Sequence, residues 1–205
     1  MNLTRRRRAR PGTVVPGAII LLVSLVAACG LFEPREPEPP GQSSLNFRPP
    51  LEPSIVVENL QNAVEQKNSA NYGSCFSDPS SGGRSFSFTP SAEAAAQYGP
   101  ILADWGYQQE LSYFQNLIAR SPSNAGAALF LTQKSALVSA DSVVYSFDYV
   151  FTFEHNDPGI ARSARGNLQF VMAPDAANRW SIHRWADFKT GDEISWSMLK
   201  GRFSN

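Results

Sequence analysis

The chain contains few of the residues that most often carry metal-ion and redox chemistry, because its 205 residues include only two cysteines and two histidines. Two cysteines cannot build a network of disulfides, and a zinc site of the usual Cys and His ligands is not expected from so few donors. Gly82 and Gly83 have neither the lysine nor the Ser/Thr context of a phosphate-binding loop. We therefore expect no metal site and no cofactor.

The amino-terminal segment combines a basic run with a short apolar stretch. Residues 5–10 include five arginines, and the stretch from Val14 to Ala28 has no charged residue. This stretch is shorter than the roughly 20 residues that a membrane-spanning helix needs, and Pro16 and Gly17 lie near its start. Such a layout is typical of a secretory signal peptide, which we predict over residues 1–28. A permanent transmembrane helix is the alternative.

The apolar stretch ends in the sequence Val26-Ala27-Ala28-Cys29-Gly30. This sequence resembles the lipobox of bacterial lipoproteins. The resemblance implies cleavage before Cys29, a diacylglyceryl group on its thiol, and acylation of its new amino group. Several acyl chains, at about 0.8 kcal/mol per buried methylene, would hold the protein to a membrane outside the cytoplasm. Gly30, in place of an aspartate, favours the periplasmic face of the outer membrane if the source is diderm.

Removal of the signal peptide would leave a mildly acidic protein. Residues 1–28 hold five of the 18 basic residues and none of the 18 acidic ones, so the processed chain carries a net charge of about −5. An acidic chain is poorly suited to binding nucleic acid, and we expect no nucleic-acid partner. With Cys29 lipidated, Cys75 has no disulfide partner. We interpret it as a small buried residue beside Phe76.

A proline-rich linker follows the lipidated cysteine, over residues 29–53. It contains seven prolines and few apolar residues, so it cannot build a core. At about 3.1 Å per residue in the extended polyproline conformation, residues 30–53 could hold a domain up to roughly 70 Å from the lipid surface. Residues 54–205 have the length of one domain with a core of its own.

The first half of this domain has helical periodicity. The pattern of apolar residues predicts four helices, over residues 54–67, from residue 69 to the turn at 78–83, and over residues 91–98 and 102–120. Ser54 is expected to cap the first of them. A short strand is predicted at residues 86–88, where Phe86 and Phe88 alternate with Ser87.

From Ala127 the periodicity changes from helical to two. Six apolar residues occupy every second position from Val143 to Phe153, which is the strongest strand signal in the chain. Turn sequences separate this strand from two more, which contain residues 168–172 and 180–185, and residues 129–138 are expected to pair on its other side. Helices before a run of strands predict an α+β fold, with helices covering one face of a bent antiparallel sheet.

Two details of this half bear on burial. In the final strand, the alternation places Trp180 and Ile182 on the face opposite to Trp185. The tail from Gly191 to Phe203 is rich in apolar residues that would be costly to expose. We expect it to fold back as a short helix over the sheet edge, or to form a self-association surface.

The order of elements from Ser54 to Phe203 resembles the NTF2-like superfamily, also called the cystatin-like or SnoaL-like α+β cone fold. The features that carry the resemblance are Leu60 and Ala63 in the opening helix, Tyr72 and Phe76 followed by Asp78, Trp105, and the closing strand Trp180–Phe188. The resemblance implies a pocket between the concave sheet face and the helices. In isomerase and cyclase members of the superfamily, an acid–base pair works in that pocket.

Four residues are expected to line such a pocket: Tyr72, Tyr145, Tyr149 and His183. None matches a catalytic position of the superfamily, so we assign no catalytic residue. The aromatic stripe to which Tyr145 and Tyr149 belong is interpreted first as packed core and second as a pocket lining.

Further acid–base candidates by residue type are Asp148 and Asp187. Asp148 alternates out of phase with Tyr149, which indicates a solvated residue on the other sheet face. His183 is interpreted as a structural or surface histidine, and His155, beside a turn, is expected to be exposed. We therefore expect Asp148→Asn, His183→Gln and Asp187→Asn to leave both the fold and any binding little changed.

Three functions are consistent with the sequence. The favoured one is a non-enzymatic cell-envelope lipoprotein whose NTF2-like domain binds a small apolar ligand or a protein partner. The second is an enzyme similar to ketosteroid isomerase or SnoaL, with acid–base residues in the cone pocket. The third is a structural envelope protein that forms a homodimer through its sheet.

Overall fold

The computed structural model of the protein describes residues 46–82 and 84–205. The predicted signal peptide, Cys29 and the greater part of the predicted linker lie outside these residues. The helices are α1 (Pro53–Glu65), α2 (Ser69–Gly73), α3 (Ala92–Leu102), α4 (Tyr107–Ala119) and α5 (Trp196–Arg202). The strands are β1 (Ser87–Thr89), β2 (Ala127–Val138), β3 (Val143–Phe153), β4 (Ser163–Pro174) and β5 (Trp180–Lys189). The α+β class is confirmed.

The five strands form one sheet in the order β1-β5-β4-β3-β2. The four long strands pair antiparallel, as predicted. The short strand β1 pairs parallel with β5, with Phe88 opposite Trp185, so the sheet is mixed and not wholly antiparallel. The parallel pairing is possible because α3, α4 and three long strands separate β1 from β5 along the chain.

Strand β3 has the bounds and the faces that its alternation predicts. Phe147, Phe151 and Phe153 are buried against the helices, while Tyr145 in the same row is half-buried. Residue Asp148 lies on the opposite face, beside Lys134 and Asn167. The period of two therefore identified the core face of the sheet correctly.

The assignment of faces in β5 is wrong at its start. Ile182 and Trp185 are both in the core, at 0% and 1% exposure, although an unbroken alternation would put them on opposite faces. Val171 of β4 pairs with Arg184, and the next residue, Met172, pairs with Ile182, so β5 carries an extra residue at this point. A bulge of this kind re-aims the side chains on either side of it.

Several helix boundaries differ from the predictions. Helix α1 begins at Pro53, preceded by Glu52, and Ser54 does not cap it. The third long helix begins at Tyr107 and not at residue 102, because residues 103–106 leave the helical path and bring Trp105 into the core. Helix α3 instead continues through Pro100 to Leu102, with non-helical backbone angles at Tyr98.

The carboxyl tail forms the predicted helix, but in a different place. Helix α5 is buried in the core, in contact with α3 and β4, and does not lie over the sheet edge. Gly201 allows this close approach, because a Cβ atom at this position would lie 2.4 Å from the ring of Tyr98. The tail therefore completes the core of the domain.

Cys75 and His155 are both buried. Cys75 is a free thiol at 1% exposure next to Phe76, as predicted. His155 is 1% exposed, so the expectation of an exposed histidine is wrong. Its ring lies 5.0 Å from that of Phe203, which shows that the carboxyl end of the chain covers the turn.

Candidate functional site

A buried ion pair lies at the centre of the domain, between the sheet and the helices. The Lys200 ammonium contacts both carboxylate oxygens of Glu110, and the two side chains are 0% and 1% exposed. Glu110 also accepts hydrogen bonds from the Tyr72 hydroxyl at 2.6 Å and from Trp105 Nε1 at 2.7 Å. Five rings surround the ammonium at 3.7–6.0 Å, namely those of Trp185, Phe88, Tyr113, Trp105 and Trp196.

This environment acts on the charge of Lys200 in two opposite ways. Burial among aromatic rings lowers the pKa of Lys200 to about 8, while the Glu110 carboxylate works against that shift. The faces of the rings carry negative potential and stabilise a cation placed over them. Because both carboxylate oxygens contact the ammonium, Glu110 and Lys200 form a buried salt bridge.

A second buried polar cluster is centred on Asp187 of β5. The Tyr149 hydroxyl donates to Asp187 Oδ1 at 2.8 Å and accepts from the backbone N–H of Trp196 at 2.7 Å. Ser197 donates to Asp187 Oδ2 from both its backbone N–H, at 2.7 Å, and its hydroxyl. Burial raises the pKa of Asp187, and the bonds from Ser197 and Tyr149 oppose that rise. The cluster fixes the start of α5 on the sheet.

A surface cleft of about 270 Å³ lies beside the point where the described chain begins. We call it the Trp180 cleft. Its walls combine aromatic and charged side chains, and those used below are Phe47, Phe76, Tyr107, Asp175, Arg179 and Trp180. Phe76 is buried, Phe47, Tyr107 and Trp180 are half-buried, and Arg179 is exposed.

Three backbone contacts build the Trp180 cleft. The N–H of Trp180 donates to the Pro50 carbonyl at 2.7 Å, which joins the segment before α1 to the start of β5. Ser77 N–H donates to the Ile182 carbonyl, and Ile182 N–H donates to the Cys75 carbonyl, both at 2.9 Å. These bonds attach the loop after α2 to the same strand. The cleft therefore lies between two segments that are each held to β5.

At one end of the cleft, Arg179 and Asp175 form an ion pair across the turn between β4 and β5. Arg179 Nε and Nη2 lie 2.9 and 2.8 Å from Asp175 Oδ2. Asp175 Oδ1 accepts in addition from the backbone N–H groups of Ala177 and Arg179. These bonds lower the pKa of Asp175, so the cleft carries a fixed pair of opposite charges.

A small cavity adjoins the cleft and shares Ser77, Asp175 and Ser181 with it. We call it the His183 pit, because His183 lines it together with Arg84. The pit measures about 10 Å³. His183 is 8% exposed, and its Nε2 atom is buried without a hydrogen-bond partner among the described residues. Burial, and the nearby Arg84 and Arg184, lower the pKa of His183, which favours the neutral imidazole.

Residues 46–82 and 84–205 contain no group of three or more His, Cys, Asp or Glu residues that could hold a metal ion. Within the same ranges, no helix has the length and apolar character that crossing a membrane requires.

Solved structures of similar shape share the arrangement of the sheet and helices. A proposed aromatic ring hydroxylase from Novosphingobium aromaticivorans matches over 74% of this chain and 96% of its own, with a TM-score of 0.52 and 12% identity. A conserved protein from Planctomyces limnophilus matches over 66% and 91%, with a TM-score of 0.51 and 12% identity. A proposed dehydratase of the NTF2-like family from Streptomyces avermitilis matches over 68% and 94%, with a TM-score of 0.49 and 12% identity. The described chain shares its α+β fold with the first two of these structures.

At 12% identity the match to these structures shows the fold of the described domain and nothing of its activity. No family model matches the sequence, and no curated protein matches it. What the domain can do must therefore be argued from its own residues.

The four residues expected to line a cone pocket do not line a common cavity among those described above. Tyr72 is fully buried, with its ring stacked on that of Phe114 at 3.8 Å. Tyr149 is 1% exposed and held by Asp187, while Tyr145 is half-buried with its ring 5.7 Å from that of Phe147. His183 lines the separate pit on the surface.

The centre of the described domain is occupied by helix α5. Its residues Trp196 and Lys200 are both fully buried, and Trp196 Nε1 donates to the Tyr113 hydroxyl at 2.8 Å. No sequence signal identified Glu110 or Lys200 as partners, because 90 residues separate them and each lies in an ordinary helical pattern. The alternating aromatic residues of β3 are therefore mainly packed in the core, which was the first of the two interpretations from the sequence.

Proposed function

We propose that this protein is a non-enzymatic cell-envelope lipoprotein, held to the membrane through lipidated Cys29, whose NTF2-like domain binds a ligand or a protein partner in the Trp180 cleft. The lipobox-like sequence and the proline-rich linker support the anchor and its reach. The Trp180 cleft supports the binding part of the proposal, because it is a candidate binding surface that the sequence alone did not identify. We place the protein on the periplasmic face of the outer membrane if the source is diderm.

The observation that supports a non-enzymatic function is that the two carboxylates in the centre of the domain, those of Glu110 and Asp187, are already bound by other side chains. The Glu110 carboxylate is bound by Lys200, Tyr72 and Trp105. The Asp187 carboxylate is bound by Tyr149 and Ser197. Both acids are 1% exposed, and a general acid or base must come within hydrogen-bond reach of its substrate. We therefore assign Glu110 and Asp187 to the stability of the fold and not to catalysis.

The composition of the Trp180 cleft supports binding there. Half-buried aromatic rings supply apolar contact area at a low cost in conformational entropy, and Arg179 and Asp175 supply polar contacts that orient a partner. A small ligand and an exposed segment of a protein are the two kinds of occupant that such a cleft suits.

Photo-crosslinking of the full-length lipoprotein in its native envelope tests this proposal. We expect Trp180→p-benzoylphenylalanine to give a crosslink to one defined protein or lipid-sized molecule, and Tyr107→Ala in the same chain to abolish it. The matched control is Phe188→p-benzoylphenylalanine, since Phe188 is 51% exposed on β5, outside the residues that line the cleft. Identical crosslinks from positions 180 and 188, or none from position 180, would overturn the assignment of the cleft.

Mass spectrometry of the mature amino terminus tests the anchor. We expect a triacylated Cys29 in the wild type, and an unmodified, uncleaved or wrongly cleaved chain in the Cys29→Ser variant. A wild-type amino terminus at any other residue would contradict the lipoprotein assignment.

A second candidate function is that of a structural envelope protein that forms a homodimer. The observation in its favour is β2, which lies at the edge of the sheet and exposes Phe130, Leu137 and Val138 at 63%, 68% and 79%. Exposed apolar residues on an unpaired edge are a ready surface for association. Sedimentation velocity decides it: a dimer that Leu137→Lys converts to a monomer supports this function, and a wild-type monomer excludes it.

A further inference from the structure

His183, which lines the pit, has a ring nitrogen, Nε2, that makes no hydrogen bond to the described residues. Buried polar atoms nearly always have a hydrogen-bond partner, and each exception calls for an explanation. His183 Nε2 is buried and lacks one among the described residues, although the neighbouring Ser77 hydroxyl is satisfied by the Arg84 carbonyl at 2.5 Å. His183 Nε2 can therefore make one further hydrogen bond.

The size of the pit limits what that missing group can be. A volume of about 10 Å³ corresponds to roughly one water-sized probe, so the pit admits a water or a single hydroxyl and no larger group. A hydroxyl can donate or accept, so it can satisfy His183 Nε2 in either tautomer. Ser77, Asp175 and Ser181 line the pit and the cleft alike, so a molecule in the cleft can present a hydroxyl to the pit.

The Trp180 cleft offers the other two features that a hydroxylated ring would require. The half-buried rings of Trp180 and Tyr107 suit the C–H face of a pyranose ring. The Arg179–Asp175 pair places donors and acceptors together, which matches hydroxyl groups that do both. Because this pair is close to neutral, it does not favour a charged ligand.

We propose that the Trp180 cleft binds a saccharide, with one sugar hydroxyl entering the pit to hydrogen-bond His183 Nε2 and the ring face lying against Trp180. This inference rests on the proposed function only in placing the binding at this cleft. A purely apolar ligand would offer no hydrogen bond to His183 Nε2, so the partner of this atom would then be water. An anion would gain little from Arg179, which Asp175 already pairs.

Isothermal titration calorimetry of the full-length lipoprotein in detergent tests the saccharide. The probes are the tetrasaccharides of glucose and of N-acetylglucosamine, at concentrations up to about 10 mM, because single-site sugar contacts correspond to millimolar dissociation constants. We expect at least one probe to bind. His183→Leu fills the pit with an apolar group and is expected to weaken that binding about ten-fold, the equivalent of one lost hydrogen bond.

Substitutions at His183 and Trp180 distinguish a loss of saccharide binding from a loss of folding. His183→Gln retains a hydrogen-bonding group and should bind more tightly than His183→Leu. Trp180→Ala should reduce the affinity at least ten-fold, and the control Phe188→Ala, at an exposed position outside the cleft, should leave it unchanged. Thermal unfolding followed by circular dichroism shows whether each variant is folded.

The failures of the two proposals are distinguishable. If neither tetrasaccharide binds while photo-crosslinking at position 180 still yields a defined partner, the saccharide is wrong and the cleft remains the binding site. If a tetrasaccharide binds but His183→Leu and Trp180→Ala leave its affinity unchanged, the site lies elsewhere and this inference is wrong. Absence of both saccharide binding and crosslinks would overturn both proposals.

Discussion

The Lys200 ammonium is enclosed by the Glu110 carboxylate on one side and the ring of Trp185, 3.7 Å from the ammonium to the ring centroid, on another. Lysine is rarely buried completely, because removal of its charge from water is costly. Here one carboxylate and several aromatic faces replace the water. The last helix of the chain is thus held to α4 by charge as well as by packing.

Removal of one partner of this pair should be far more damaging than removal of both. Lys200→Met leaves the Glu110 charge buried without its partner, and we expect a loss of about 3–5 kcal/mol in the free energy of unfolding. The double variant Lys200→Met/Glu110→Gln should be more stable than Lys200→Met. Urea denaturation measures both. An Arg48→Met control at an exposed ion pair should change stability little, and an equally small effect of Lys200→Met would contradict the importance of the buried pair.

Asp187→Asn is now expected to destabilise the domain, contrary to the expectation from sequence. The side-chain NH₂ group of asparagine cannot accept the bonds that Asp187 Oδ1 and Oδ2 both receive, from Tyr149 and Ser197. A buried group left unsatisfied costs about 1–3 kcal/mol, measurable as a lower urea midpoint. Asp148→Asn is the matched control, because Asp148 lies on the partly exposed sheet face. Equal stability of the two variants would contradict this role of Asp187.

The stability of the domain should fall steeply above about pH 10. Burial raises the pKa of Tyr72, Tyr113 and Tyr149 above the value of 10.0 for a free tyrosine. The unfolded chain therefore loses these protons first, and stability that is present below pH 10 is lost as the pH rises. Each tyrosine contributes a slope of about 1.4 kcal/mol per pH unit. Urea titrations between pH 9 and 11.5 should show a shallower slope for Tyr149→Phe, and an unchanged slope would argue against buried tyrosine protons as the cause.

The titration of Lys200 should increase the stability of the domain as the pH rises from about 8 towards 10. Its pKa of about 8 in the folded domain lies below the ordinary value of 10.5, so the unfolded chain binds the extra proton between these values. Stability should therefore rise with pH from about 8 towards 10. The rise should be absent in the Lys200→Met/Glu110→Gln variant, whose urea titrations over the same range provide the comparison.

Phe147→Asp should unfold the domain, because Phe147 is 3% exposed and its ring lies 6.1 Å from that of Phe170, with no partner for a charge nearby. Ser146→Asp places the same charge on the other face of β3 and should leave a folded domain. Circular dichroism at 20 °C distinguishes the two outcomes. If Phe147→Asp kept the thermal stability of the wild type, the assignment of the core face would be incorrect.

The sequence by itself determined the elements whose signal is local. The period of two from Val143 to Phe153 defined a strand and its core face, because alternate side chains of any strand point to opposite faces. The order of helices and strands was sufficient to indicate the α+β class. The apolar tail was sufficient to predict a final helix, since leaving it exposed would be costly.

Only the tertiary structure decided what fills the centre of the domain and where the polar groups meet. Glu110 and Lys200 lie 90 residues apart, and Asp187 and Tyr149 lie 38 residues apart, so no periodicity within one element relates them. The bulge opposite Val171 and Met172 overrode the alternation in β5, because strand register depends on the partner strand. The Trp180 cleft joins four separate segments, and a surface of that kind exists only once the chain has folded.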